Sequence, residues 1–168
     1  THLVEVLNRI FSRCDEAAAR HGIEKIKTIG DCYMAATGVV SDRVDLPGID
    51  AMAEFALELL CIVESVAGEL GLPLGMRIGI STGAVVSGVI GTRGFNFDVW
   101  GDTVNLAHQM EQTGIVGRVQ VSEATYWRLH QAYRLEPRGE IEVKSGQRVP
   151  TYVLTGRAPA VATEAPLH

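Results

Sequence analysis

Apolar residues recur at intervals of three and four near the start of the chain and again after residue 50. This spacing puts them on one face of a helix, so it predicts a first helix over residues 2–20 and a second one that ends near Gly68. Asp50 is expected to cap the second helix, because its carboxylate can accept hydrogen bonds from the free N–H groups of the first turn. Both helices are therefore expected to pack one face against a core.

Two short apolar runs between these helices, residues 23–29 and 32–37, are typical of strands. Gly30 and Asp31 separate the runs, and a two-residue loop with glycine first favours a tight hairpin turn of type II′. The pattern therefore predicts Asp31 at the tip of a β-hairpin, with Lys27 on the strand that precedes it.

The second half of the chain combines strands with two more helices. Strands are expected over residues 74–82, 84–90, 95–100, 118–121 and 132–156, the last around a turn at 144–147. One helix is expected to open at residues 101–103, and Ser122 is expected to cap a shorter helix that runs to His130. Hairpins mixed with helices predict an α+β fold with helices on one face of a sheet, and a ferredoxin-like topology is favoured.

The composition narrows the class of protein. The chain has 168 residues, 46% of them hydrophobic and 21% charged, which suits one globular domain. A net charge of −5 with no run of Lys or Arg argues against a nucleic-acid binder, and no apolar stretch is long enough to predict membrane contact. The 3 cysteines lack CxxC spacing, which favours reduced thiols in a cytoplasmic protein over a disulfide or metal site.

Several polar residues are candidates for chemistry. Asp31 can offer oxygen ligands to a hard cation, although Gly-Asp turns also occur for structural reasons alone. Lys27 fits a solvated strand lysine equally well. Asp98 lies in an aromatic run, where a carboxylate is usually paired or functional. Asn105 and Gln109 lie one helical turn apart and are either a presented polar pair or simply the solvated face of a helix.

At these residues the sequence resembles the catalytic domain of the class III nucleotidyl cyclases. Residues 24–34 (EKIKTIGDCYM) are similar to the strand and hairpin segment of that family, and residues 97–107 (FDVWGDTVNLA) to its arm and catalytic helix. Residues 76–83 (MRIGISTG), 88–91 (GVIG) and 138–152 also match in order. The agreement of several separate segments makes the resemblance specific.

The resemblance implies an adenylate cyclase domain over residues 1–156, followed by a disordered tail over 157–168. The implied fold is the ferredoxin-like sandwich of this family, here without its first strand. The implied reaction converts ATP to 3′,5′-cyclic AMP and pyrophosphate by attack of the ribose 3′-hydroxyl on the α-phosphorus, assisted by two Mg²⁺ or Mn²⁺ ions. A second copy of the chain is the implied partner, because family sites lie between two subunits, and Phe95 is a candidate interface residue.

The same resemblance assigns roles to individual residues. It implies that Asp31 is one of two metal-binding aspartates and that Lys27 and Asp98 recognise the base. It also implies that Asn105 positions the ribose and that Lys144 contacts the triphosphate. An Asp acceptor beside a Lys donor complements the N6 amine and N1 of adenine, whereas guanine presents the reverse pattern, so ATP is the expected nucleotide.

The chain departs from the family pattern in three places. The catalytic helix of the family carries an arginine where this chain has Gln109, which keeps a donor but loses the positive charge. The turn after Lys144 lacks a second lysine. The first metal aspartate of the family lies on a strand ahead of the first helix, and nothing similar precedes Thr1. We therefore expect an amino-terminally shortened domain with little activity by itself.

Two hypotheses remain at this stage. In the first, the chain is the catalytic domain of an ATP-using cyclase. In the second, it is a non-catalytic cyclase-homology module that dimerises or binds nucleotide to regulate an attached domain. Gln109 favours the second hypothesis, whereas the presence of Lys27, Asp31, Asp98 and Asn105 together favours the first.

Overall fold

The computed structural model describes residues 2–39, 48–91 and 96–159, and it shows four helices and eight strands in these ranges. In chain order they are α1 (His2–His21), β1 (Glu24–Ile29), β2 (Cys32–Ala36), α2 (Ile49–Leu70), β3 (Ile78–Ile80), β4 (Val86–Ile90), β5 (Asn96–Trp100), α3 (Asp102–Gln112), β6 (Val119–Ser122), α4 (Glu123–Leu129), β7 (Tyr133–Glu142) and β8 (Arg148–Arg157). Helices and strands are mixed along the chain, and the α+β expectation is confirmed.

The strands form one four-stranded sheet and two separate hairpins. The sheet has the order β3-β6-β8-β7, in which β3 and β6 are parallel and the other neighbours are antiparallel. The hairpins are β1-β2 and β4-β5, both antiparallel. The first hairpin has the predicted two-residue turn, since Ile29 pairs with Cys32 and Gly30 adopts a φ of +59°.

Two groups of buried apolar side chains hold these elements together. The first joins α1 to one side of α2 and includes Cys14, which is fully buried, and Phe55. The second lies between α2, α4 and the sheet, and it includes Val119, Leu129 and Leu154. Helix α2 contributes to both groups and is therefore the element on which the helices and the sheet meet.

The limits of several elements differ from the prediction. Gly48, not Asp50, is the N-cap residue of α2, and Asp50 lies in the first turn. The helix was expected to end near Gly68 and continues to Leu70, where Gly71 provides the left-handed cap conformation with a φ of 62°. Ser122 does precede α4, but its hydroxyl contacts the hydroxyl of Thr125 and makes no cap bond to the backbone.

The strand predicted over residues 74–82 is present only as Ile78–Ile80. Residues 72–77 lie outside regular secondary structure, and the Met76 carbonyl accepts from the Gly117 N–H at 2.8 Å. At the other end, β8 includes Arg157, so the strand enters the range expected to be a tail. Residues 160–168 and Phe95 lie outside the described ranges. Within those ranges, none of the helices has both the length and the apolarity needed to cross a bilayer.

Candidate functional site

Lys27 and Asp98 form an ion pair between the two hairpins. The Lys27 Nζ lies 2.7 Å from the Asp98 Oδ2, although 71 positions separate the two residues in the chain. The Asp98 side chain is 12% exposed and that of Lys27 is 42% exposed, so the pair is open to solvent on the lysine side. A buried acceptor and an accessible donor are therefore presented next to each other.

A β-bulge in the first hairpin lies between its two lysines, whose ammonium groups contact different elements. The register shifts between Lys25, which pairs with Ala35, and Lys27, which pairs with Met34. Lys25 donates to Asp15 on α1 at 3.1 Å, whereas Lys27 donates to Asp98 on β5. A bulge commonly re-aims a side chain in this way, and here it directs Lys27 toward the second hairpin.

The Asp98 carboxylate is held in the charged form. Its Oδ2 accepts from Lys27 and its Oδ1 accepts from the backbone N–H of Val99 at 2.8 Å. These two hydrogen bonds, the one from Lys27 being stronger, lower the pKa of Asp98 below its ordinary value despite its burial. Gly88 lies directly opposite Asp98 on β4, and a Cβ atom added there would contact the Trp100 ring at 3.7 Å.

Asp31 lies at the exposed tip of the first hairpin, as predicted. Its carboxylate makes no hydrogen bond or ion pair within the described residues. Those residues also contain no group of three His, Cys, Asp or Glu side chains that could hold a metal ion. A single carboxylate does not satisfy a hard divalent cation, so the described residues alone do not fit a two-ion site.

Helix α3 presents Asn105 and Gln109 to one side. Asn105 is exposed and Gln109 is partly exposed, and neither side chain makes a hydrogen bond in the described part of the chain. Gly101, with a φ of 125°, makes the turn from β5 into this helix, and the Thr103 hydroxyl ties the first turn to the Ala84 carbonyl at 2.7 Å. The helix is thus fixed at its start while its polar face stays available.

Backbone packing holds α3 against the sheet. A Cβ atom added to Gly79 on β3 would overlap backbone atoms of Ala107 and Glu111. Only glycine permits this approach. The polar face with Asn105 therefore lies at a position set by main-chain contacts of the sheet.

Lys144 lies in the turn between β7 and β8. This turn is closed by hydrogen bonds from Val143 N–H to the Gln147 carbonyl and from Gly146 N–H to the Val143 carbonyl, at 2.9 and 2.8 Å. The Lys144 side chain is exposed and has no ion-pair partner in the ranges the structure covers. Its ammonium is available to an anionic ligand.

The structure thus brings together only some of the residues that the sequence singled out. Lys27 and Asp98 touch, and Asn105 and Gln109 share a helix face. Asp31 and Lys144 stand on separate turns at other places in the fold. Their roles remain predictions.

Sequence reasoning missed the contacts that hold the first hairpin against α1. The Asp15 carboxylate accepts from both Lys25 and the Tyr33 hydroxyl, the latter at 2.8 Å. The Tyr33 ring also contacts that of Phe11, with centroids 5.6 Å apart, and burial raises the pKa of Tyr33. Asp15 has the spacing of an ordinary solvated helix position, so no pattern in the sequence distinguishes it.

Comparison with known proteins places the chain among cyclase catalytic domains. Residues 1–156 match the family model described as the adenylate and guanylate cyclase catalytic domain. The chain is 43% identical over 155 residues to an adenylate cyclase of Mycobacterium tuberculosis, covering 92% of the chain and 34% of that relative. It is 42% identical over 160 residues to the germination-specific adenylate cyclase of Dictyostelium discoideum, covering 92% of the chain and 18% of the relative. The chain therefore spans about a third or less of the length of these relatives.

Among solved structures, the chain is similar to the guanylate cyclase domain of RhGC from Catenaria anguillulae in complex with GTP. The TM-score is 0.84 at 31% identity, covering 93% of this chain and 85% of that one. A rhodopsin-guanylyl cyclase catalytic core with converted specificity, in complex with ATPαS, gives a TM-score of 0.81 at 34% identity and covers 90% and 82% of the two chains. These likenesses confirm the ferredoxin-like cyclase type of fold.

Proposed function

The chain belongs to the adenylate and guanylate cyclase catalytic domain family, and from this premise we propose that it is the part of an adenylate cyclase that binds ATP and forms 3′,5′-cyclic AMP. The observation that carries the choice of nucleotide is the contact between Lys27 and Asp98. Relatives at 43% and 42% identity that are named adenylate cyclases support the same choice.

Lys27 and Asp98 can both bind adenine while the ion pair between them stays intact. Asp98 keeps free lone pairs on its carboxylate, which can accept from the N6 amine. Lys27 has three donors and uses one on Asp98, so a second can reach the N1 acceptor of the ring. Guanine presents an acceptor where adenine has the amine and a donor at N1, so it meets acceptor with acceptor.

The remaining residues act on the ribose and the phosphates in this proposal. In the reaction the ribose O3′ forms a bond to the α-phosphorus while the bond to the leaving pyrophosphate breaks. Asn105 orients the ribose for that attack, and Gln109, one turn later, donates an uncharged hydrogen bond to the phosphate. Lys144 neutralises part of the triphosphate charge. Each side chain is exposed or partly exposed and otherwise unbonded in the described residues, which supports a role in ligand binding.

The proposed reaction also requires divalent ions, and the described residues supply only part of their ligands. When bound, they would neutralise charge on the attacking and leaving oxygens. Asp31 would supply one carboxylate. The further ligands are proposed to come from outside the described residues, which contain no group of three His, Cys, Asp or Glu side chains that could hold a metal ion.

A second copy of the chain is the proposed partner. The solved relatives include a non-canonical dimeric guanylyl cyclase domain from Blastocladiella emersonii, at 30% identity. Apolar side chains are also exposed along β4, where Val86 is 66% and Val89 57% exposed.

We place the protein in the cytoplasm, which suits its free cysteines.

The test of nucleotide choice is the double variant Lys27→Glu with Asp98→Cys. It reverses the hydrogen-bonding pattern, and a matched pair of bonds is worth roughly 1–3 kcal/mol of discrimination. The ratio of ATP to GTP affinity, measured by calorimetry, should fall by about tenfold or more. Arg118→Gln changes the net charge equally at an exposed position and is the control. An unchanged ratio in the double variant would remove the pair from the base site.

A non-catalytic module that binds nucleotide is the second candidate. Gln109 in place of an arginine and the isolated Asp31 favour it. The two candidates differ in turnover and agree in binding. If a longer version of the chain that carries Gln109→Arg binds ATP and still makes no cyclic AMP, the module is the better description.

A further inference from the structure

A buried amide from the sheet holds the carboxyl end of α3. Gln120 on β6 is 1% exposed, and its Nε2 donates to the Met110 carbonyl at 3.0 Å and to the Thr113 hydroxyl at 2.7 Å. The Thr113 hydroxyl in turn donates to the Gln109 carbonyl at 2.7 Å. Carbonyls in the last turn of a helix lack the usual partner one turn later, and the Gln120 amide supplies one to the Met110 carbonyl.

Arg138 completes this network from β7. Its Nη1 donates to the Thr113 carbonyl at 2.5 Å and also to the Oε1 of Gln120. The side-chain amide of Gln120 is thereby bonded at both its nitrogen and its oxygen. The guanidinium also places a positive charge at the negative end of the α3 dipole, where a cation is stabilising.

A β-bulge directs Arg138 toward α3. Along β7, Pro137 pairs with Tyr152 and Gly139 pairs with Thr151, so Arg138 is an extra residue without a partner on β8. Gly139 has a φ of +131°, and the Thr151 hydroxyl donates to its carbonyl at 2.8 Å. The strand then continues into the turn that carries Lys144. One strand therefore supports both Lys144 and the anchor of α3.

We propose that Arg138 and Gln120 are positioning residues for the reaction. They set α3 in a fixed place relative to β7, and so hold Asn105 and Gln109 in register with Lys144. This inference rests on the proposed function. Neither residue touches substrate, but a displacement of about 1 Å in a group that orients the substrate can cost up to about 100-fold in rate.

The first measurement is amide hydrogen exchange, which does not depend on activity. Arg138→Met keeps a side chain of similar length and removes the donor. We expect exchange in residues 109–114 to accelerate by roughly tenfold or more, while α1 and α2 exchange as in the wild type. Arg138→Lys should recover most of the protection, because one nitrogen makes both bonds. Arg148→Met is the matched control, since Arg148 is on the same hairpin and pairs only with the exposed Glu140.

The second measurement is cyclic AMP production with Mn²⁺ by the same variants, made in a longer version of the chain that includes any residues preceding Thr1 in its coding sequence. Arg138→Met should lower kcat by about 10- to 100-fold and leave KM for ATP within about twofold, because orientation is lost and nucleotide contacts remain. Arg138→Lys should restore most of kcat. A purely structural role would lower the amount of folded enzyme and would not give this selective loss in kcat per folded molecule.

The outcomes separate this inference from the proposed function. Unchanged exchange in Arg138→Met would overturn the inference, and so would faster exchange with unchanged kcat. A longer version of the chain, carrying Gln109→Arg, that makes no cyclic AMP would contradict the proposed function. The exchange data would then still decide whether the anchor of α3 exists.

Discussion

The region formed by β6, α3 and β7 and the region formed by the two hairpins use polar side chains in opposite ways. In the first region, the buried side-chain amide of Gln120 is hydrogen-bonded inside the fold at both its nitrogen and its oxygen. In the hairpins and at the turns, Asp31 and Lys144 are exposed and unbonded within the described residues. The comparison teaches that α3 is fixed by hydrogen bonds within one chain, whereas the polar groups of Asp31 and Lys144 remain available to a ligand.

The strongest test of the scaffold is Gly79→Ala. The added methyl group would overlap the backbone of α3, which cannot shift as a flexible side chain can. We expect a loss of at least about 3 kcal/mol in the free energy of unfolding, measured by urea denaturation. Gly88→Ala on the second hairpin meets only the Trp100 ring at 3.7 Å and should cost less than about 1 kcal/mol. Equal losses would mean that the two regions are packed alike.

Gln109→Arg tests a residue assigned to chemistry rather than one that holds the scaffold together. The substitution adds a charge-assisted donor at a partly exposed position, so stability should hardly change while cyclic AMP turnover rises, by roughly 100-fold at most. Turnover is measured in this chain and in a longer version with any residues that precede Thr1 in its coding sequence. Gln112→Arg, at an exposed position on the same helix, is the control. The chain alone should remain nearly inactive; rapid turnover by the unaltered chain would show that its metal ligands are misassigned.

Thr125→Val probes a smaller contribution of the scaffold. The Thr125 hydroxyl is fully buried and lies 2.7 Å from that of Thr82 and 3.2 Å from that of Ser122. Its loss leaves buried hydroxyls without a partner, at a cost of about 1–3 kcal/mol. The matched control is Thr155→Val, because Thr155 is only partly buried and its bond to Arg134 is at the exposed edge strand. Thermal unfolding of both variants should rank them in that order.

The smallest predicted effect concerns pH and the pair between the hairpins. Hydrogen bonds from Lys27 and from the Val99 N–H lower the pKa of Asp98 in the folded protein. Its stabilising contribution is therefore complete above the unfolded value near 4 and is lost as the pH falls through the lower folded value. Asp98→Asn should cost about 1 kcal/mol or less at neutral pH, and this difference should shrink below about pH 4.

Asp31→Asn, in a chelating buffer, is the control for that measurement, because Asp31 has no bonded partner in the described ranges. Its unfolding free energy at neutral pH should equal that of the wild type, because no hydrogen bond or ion pair is lost. A difference for Asp98→Asn that stays constant with pH would show that its charge contributes nothing.

Local elements were accessible from the sequence because their causes are local. The hairpin at Gly30 depends on a two-residue loop, and α1 depends on a periodic stripe, and both were predicted within a residue or two. Asp98 stood out as a carboxylate in an aromatic strand. That it meets Lys27 depends on how two separate hairpins dock, and only the family resemblance indicated it.

The β-bulges and packing contacts that set the direction of functional side chains could not be predicted from the sequence. The bulges beside Lys27 and Arg138 arise from strand register, which is fixed between distant segments. The role of Gln120 could not be predicted either. In the sequence it resembles an exposed strand residue, and only the packing of α3 on the sheet brings the Met110 carbonyl within its reach. The differences at the ends of α2 have another origin. Its N-cap is Gly48, whose extended backbone any residue could adopt, whereas its C-cap is Gly71, whose φ of 62° favours glycine.

Because α2 contributes to both buried groups, its position affects how the domain unfolds. Phe55 and Val66 belong to the group shared with α1, whereas Ala53 and Ala56 belong to the group beneath the sheet. Neither group can be exposed without withdrawing the same helix from the other, so the two cannot melt in turn. Unfolding is expected as one cooperative transition, with the helical layer and the sheet losing structure at the same denaturant concentration.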